Sequence, residues 1–61
     1  MVYDKVMDYC KKNGISVMAF EEMCGLGNGV VGKWKSDRNP SLESLQKMEK
    51  ETKIPINKWI A

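Results

Sequence analysis

The chain is 61 residues long, 43% hydrophobic and 30% charged, with a formal net charge of +2 and a mean hydropathy of −0.45. A chain this short buries only about 60% of the surface its unfolded form exposes, which excludes a second domain and a large substrate cleft, so one domain over residues 1–61 is expected. No apolar run approaches the roughly 20 residues that cross a bilayer, and no signal-peptide pattern opens the chain, so a cytoplasmic protein without a membrane partner is expected.

Missing residue types narrow the chemistry further. There is no histidine, which removes the commonest general acid/base and the commonest metal ligand. Cys10 and Cys24 are the only thiols, and two sulfurs without imidazole do not complete a four-ligand zinc site. With no secretory signal they read as reduced thiols facing a core. No convergent catalytic set remains, so the expectation is a non-enzyme with no cofactor, no metal and no small-molecule substrate. Charge is unevenly spread: residues 1–25 carry −1, residues 41–61 carry +1, and residues 26–40 carry +2 from Lys33, Lys35 and Arg38 against Asp37. A local basic cluster of this kind is a possible electrostatic footprint for nucleic acid.

In chain order, five short helical segments are predicted, with no period-2 strand. The first runs from about Tyr3 to Lys12, with Val2, Val6 and Tyr9 or Cys10 on one face, and Asn13-Gly14 ends it. Ser16 caps a second, through Met23 or Cys24, with Ala19, Phe20 and Met23 at helical spacing. Gly25-Leu26-Gly27 is a tight turn. Asn28 is the expected cap of a third helix with Val30, Val31 and Trp34 inward; Gly29 and Gly32 each cost it about 1 kcal/mol relative to Ala, so packing must hold it. Ser36 to Pro40 is a loop. Ser41 caps a fourth helix with Leu42, Leu45 and Met48 inward and with Glu43–Lys47 and Glu49–Lys53 as i,i+4 pairs. Pro55 restarts the chain, and Asn57 caps a last turn holding Trp59 and Ile60.

A helix, a glycine-containing turn and a second short helix outline a helix-turn-helix. The stretch Gly14-Ile15-Ser16 through Phe20, Gly25, Val31 and Trp34, then Pro40-Ser41-Leu42-Glu43-Ser44-Leu45, resembles the phage-repressor and Cro-like (XRE-type) helix-turn-helix family over nearly the whole chain. Gly25 falls at the family's turn glycine, Phe20 and Val31 at its apolar anchors, and Trp34 at a frequent aromatic. The run Gly25-Leu26-Gly27-Asn28-Gly29 to Lys33-Trp34-Lys35 resembles a subgroup common in phage and prophage regulators. Two positions depart from the family pattern. Glu21 stands where a small residue, usually Ala, is found, and is tolerated if its carboxylate reaches solvent past the third helix. Val17 stands at a glutamine-type phosphate contact and weakens it.

The resemblance implies an all-α, compact five-helix lambda-repressor-like DNA-binding domain whose third helix enters the major groove of an operator. The groove is about 12 Å wide and admits one helix. Asn28, Gly29, Gly32 and Lys33 then face base edges: Asn28 pairs with adenine, Lys33 donates to guanine, and the glycines allow close approach. Few side chains are left to read sequence, so part of any specificity falls to DNA shape. Ser16, Lys35, Ser36, Arg38, Asn39 and Ser41 are the expected phosphate contacts. One domain this small covers only about 600 to 1,000 Å² of DNA, so a homodimer is expected, through Ile54, Ile56, Trp59 and Ile60, with Trp59 as anchor.

Plainer readings stand beside these. Asn28 serves only as a cap, Lys33 and Lys35 only as a solvated face, Arg38 and Asn39 only as loop residues, and the two glycines only close packing. Trp34, Phe20, Val31, Leu42, Leu45, Met7, Met18, Met23 and Met48 read as core, and Trp59 closes the core or supplies a partner surface. The rival function is a protein-interaction module on the same helices without DNA binding. Met1 and the short tail suggest a whole protein, controlled by its concentration rather than by a small effector.

Overall fold

A computed structural model describes residues 1–35 and 38–61. Among them, four α-helices and one 3₁₀ segment follow in order: α1 (Val2–Asn13), α2 (Val17–Cys24), the 3₁₀ segment Val31–Lys35, α3 (Leu42–Thr52) and α4 (Ile56–Ile60). The described residues include no strand, as the periodicity predicts. Four α-helices stand where five helical segments are expected, because the third segment is wound as a 3₁₀ turn.

Local chemistry sets the helix ends. Val2, Val6 and Cys10 form the buried stripe of α1, and Lys11 and Lys12 complement the negative end of its dipole. Past Gly14, the Ile15 N–H donates to the Cys10 carbonyl at 3.0 Å, a Schellman-type closure. Ser16 and Ser41 are the caps of α2 and α3: each hydroxyl accepts from the N–H three residues on, Ala19 at 3.0 Å and Ser44 at 3.1 Å. At the other end of α2, Gly25 turns the chain at φ 70°, a conformation that a Cβ disfavours. Lys47 then donates to the Gly25 carbonyl at 3.4 Å and pairs with Glu43 at 3.5 Å.

The core gathers one face from every element: Val2, Val6, Cys10, Phe20, Cys24, Val31, Trp34, Leu45, Met48 and Trp59. Helix α1 packs against the 3₁₀ segment, α2 and α4, while α3 packs against α2 and α4. At the centre, Tyr9, Phe20 and Trp59 meet pairwise with ring centroids 5.5, 5.9 and 6.1 Å apart, edge-on or tilted. Such pairs contribute about 0.5–1.5 kcal/mol each beyond their buried area.

Several expectations are corrected here. Trp59 is 2% exposed; it closes the core and is not available as a dimer anchor in this fold. Leu42 is 64% exposed, so the inward stripe of α3 begins one turn later, at Leu45. Met18 and Met23 are exposed, because α2 turns Phe20, Glu21 and Cys24 inward and leaves both methionines roughly a third of a turn from that face. The Glu49–Lys53 pair does not form: Lys53 leaves the helix at φ 65°, and Glu49 Oε2 accepts from the Ile56 N–H at 3.0 Å. Pro55, not Asn57, precedes the first residue of α4.

Both thiols are free and buried. Burial pushes Cys10 above its ordinary value, and burial, then the charge of Glu51, then Cys10 push Cys24 up to about 11. A folded thiol that keeps its proton while the unfolded one loses it stabilises the fold below the unfolded pKa and ceases to as pH rises through the folded one. The denaturation midpoint is therefore expected to fall between pH 9 and pH 11, and to fall less in Cys24→Ala; titrations in urea at pH 7, 9 and 10.5 measure both.

Candidate nucleic-acid interface

The link between α2 and the 3₁₀ segment decides what the molecule presents outward. Its last three residues, Asn28 to Val30, form a turn in which the Val30 N–H donates to the Gly27 carbonyl at 3.1 Å. Asn28 therefore caps no helix, which corrects the expectation for it. The first N–H groups of a helical segment have no partner within the segment, and here they are met from a distance. Glu21 on α2 is 4% exposed; its Oε1 accepts from the Gly29 N–H at 3.2 Å and its Oε2 from the Val31 N–H at 3.0 Å.

This arrangement overturns the expectation that the Glu21 carboxylate escapes to solvent. A buried carboxylate is costly unless hydrogen bonds replace its water, and bonds between a charged acceptor and backbone N–H are about twice as strong as neutral ones. Gly29 adopts φ +83°, a region that L side chains rarely enter. Two glycines and two β-branched valines weaken α-helical propensity here, consistent with a short 3₁₀ turn instead.

In a 3₁₀ turn, side chains three apart lie above one another. Val31 and Trp34, 0% and 4% exposed, therefore both point inward, while Gly32, Lys33 and Lys35 are exposed. Asn28 and Gly29 are exposed just ahead of them, and Arg38 and Asn39 are exposed after them, before the buried Pro40. The expected base-reading residues thus lie as two exposed pairs, Asn28-Gly29 and Gly32-Lys33, on either side of the partly buried Val30 and the buried Val31. Ser36 lies outside the described residues. Ser16 and Ser41 are exposed but their hydroxyls are committed to helix caps, Ser41 also donating to Ser44 Oγ at 3.1 Å. The Lys35 ammonium sits 5.6 Å from the centroid of the Tyr3 ring, a cation–π contact that ties the end of the segment to the start of α1.

The two glycines separate cleanly. Gly29 is needed for its backbone angle. Gly32 has an ordinary φ, and a Cβ built on it meets nothing within 4 Å among the described residues, so close packing inside the protein does not account for it. The sequence reading gives two further residues at this site no part in it. Met18, 59% exposed, borders a groove with Glu22, Leu26 and Asn28; helical spacing assigns it to the core. Glu21 is the other, and its signal is a carboxylate on the inward face of a helix eight residues before a glycine. Replacing Gly29 by Ala is expected to cost about 1–2 kcal/mol in thermal denaturation, from the left-handed angle alone.

A family model described as helix-turn-helix matches residues 6–59. No curated protein and no solved structure gives a significant match. The match spans α2, the glycine turn and the 3₁₀ segment together with the elements that buttress them. The chain belongs to the XRE-type helix-turn-helix family, a family of DNA-binding regulators.

Proposed function

We propose that this protein is a sequence-specific regulator of transcription of the repressor or Cro type, a phage or prophage kind of switch, that binds double-stranded DNA and blocks an operator by occupying it. The stretch from Asn28 to Lys33 enters the major groove. Asn28 and Lys33 meet base edges there, and Lys35, Ser36, Arg38 and Asn39 follow the phosphates, with Ser16 and Ser41 at the two helix starts. The observation that carries the reading is Gly32: an exposed glycine with open space around it among the described residues, on a segment it destabilises, followed by the exposed cations Lys33 and Lys35. A residue without a side chain has a use there if another surface approaches the backbone closely.

Two copies on a palindromic site, with half-sites about 34 Å apart, supply the contact area that one copy lacks. The contact between copies is assigned to Ile54, Ile56 and Ile60; Ile60 is 60% exposed, and Trp59 supports it from beneath.

Selection of bound sequences from random duplexes at stated salt tests the reading, with a palindromic consensus as the expected result. Changing Lys33, Lys35 and Arg38 together to Ala is expected to abolish retention on the selected duplex with the helical spectrum intact. If each of the three cations neutralises one phosphate, the wild-type slope of log affinity against log salt is about −3 per copy bound, at roughly −0.9 per phosphate, and about −5 for two copies on a palindromic site. A protein-interaction module would leave the random pool unsorted and the triple variant indifferent.

Gly32 gives a second, opposed pair of readouts. Gly32→Ala is expected to stabilise the fold by about 0.4–1 kcal/mol, because it restricts the unfolded chain at a compatible angle. Gly32→Leu is expected to keep the fold and weaken DNA binding at least tenfold, about 1.4 kcal/mol. Wild-type affinity in Gly32→Leu would remove this segment from the groove.

A further inference from the structure

The two ends of the exposed stretch are held by different means. The far end hangs on Trp34, which is buried in the core, and on the contact of Lys35 with the Tyr3 ring. Toward the near end Val31 is buried in the core as well, but the residues ahead of it have no such anchor. Asn28 and Gly29 are exposed, Val30 is only partly buried, and the turn itself closes with the bond from Val30 to Gly27. What ties the turn at Asn28 and Gly29 directly to α2 is the Glu21 carboxylate, which accepts from the Gly29 N–H and from the Val31 N–H just beyond it.

We propose that Glu21 is a positioning residue for base reading: by gripping the Gly29 and Val31 N–H groups from beneath, it sets the height at which Asn28 and Gly29 meet the DNA. The inference rests on the regulator reading above and deepens it. The geometry of the grip is specific. Both carboxylate oxygens are used, one on each side of Val30, and the Gly29 N–H reaches Oε1 in a backbone carrying φ +83°. Letting go frees Asn28 and Gly29 alone, while Lys33 and Lys35 stay on the part anchored by Val31 and Trp34.

The consequence is a separation of specificity from attraction. Contacts that read bases are lost one by one with position, whereas attraction to phosphate depends on the cations and is indifferent to sequence. Neutralising Glu21 also removes a negative charge from the DNA side, which by itself strengthens binding to any duplex. A fall in operator affinity on neutralisation therefore has the sign opposite to the electrostatic effect and reports on position.

The test compares wild type with Glu21→Gln and Glu21→Asp on the selected duplex and on a scrambled duplex of equal length at one salt concentration. Amide hydrogen exchange is followed in parallel at Gly29 and Val31. Glu21→Gln keeps the size but turns an amide donor toward one of the two N–H groups; Glu21→Asp keeps the charge and draws it back by one methylene. The expected result is a fall of about tenfold in the ratio of operator to scrambled affinity for Glu21→Gln, the scale of one mismatched base pair. Scrambled binding is expected to be equal to or tighter than wild type, and Gly29 and Val31 to exchange faster. Should Glu21→Gln fail to fold, Glu21→Asp serves, with a fall in the same ratio. An unchanged ratio in a folded variant, or equal losses on both duplexes, overturns the inference and leaves the regulator reading standing. A wild-type chain that selects no sequence overturns the regulator reading, and the inference with it, even if the Gly29 and Val31 amides are protected.

Discussion

A carboxylate placed among apolar side chains demands hydrogen bonds in place of water, and in this molecule that demand shapes the surface. Glu21 lies on the same face of α2 as Phe20 and Cys24, and the nearest donors that satisfy it are main-chain N–H groups of the connection that follows. The connection doubles back over α2 to supply them. Once it does, Val31 and Trp34 fall into the core, and the residues between and beside them are left on the outside. An alanine at position 21 would fill the same face without requiring the turn to return.

Behind this surface stands a small aromatic cluster. Tyr9 from α1, Phe20 from α2 and Trp59 from α4 meet at one point, so three elements distant in sequence share a contact. In a chain of 61 residues there is little apolar area to spare, and burying the last aromatic near the end of the chain recruits α4 to the core. The exposed side of that helix is left with Asn57, Lys58 and Ile60.

Most of the framework was legible from residue order because it rests on local chemistry. The serine caps, the glycine stops and the Val2–Val6–Cys10 stripe each involve residues within a few positions of one another, and they appear where spacing puts them. What was not legible depends on distance. Nothing local to Asn28 reveals that the N–H groups beside it are already met by a side chain eight and ten residues upstream, and so the segment was expected as an α-helix with its own cap. The exposure of Leu42 and Met18 and the burial of Trp59 likewise depend on which neighbours arrive. Among the candidate contact residues that the resemblance implies, Asn28 and Gly29 are exposed before the buried Val31, and Gly32 and Lys33 after it. Glu21, which accepts from the Gly29 and Val31 N–H groups, stood out only as a departure from the pattern.

The tight winding of Val31–Lys35 has a consequence of scale. A 3₁₀ turn advances about 2.0 Å per residue, so these five residues extend about 10 Å, close to three base-pair steps of about 3.4 Å. On the reading proposed above, a probe of that reach would spell a word of three letters or so, and any longer vocabulary would have to be assembled from repeated copies of the molecule or from the bending preferences of the duplex itself.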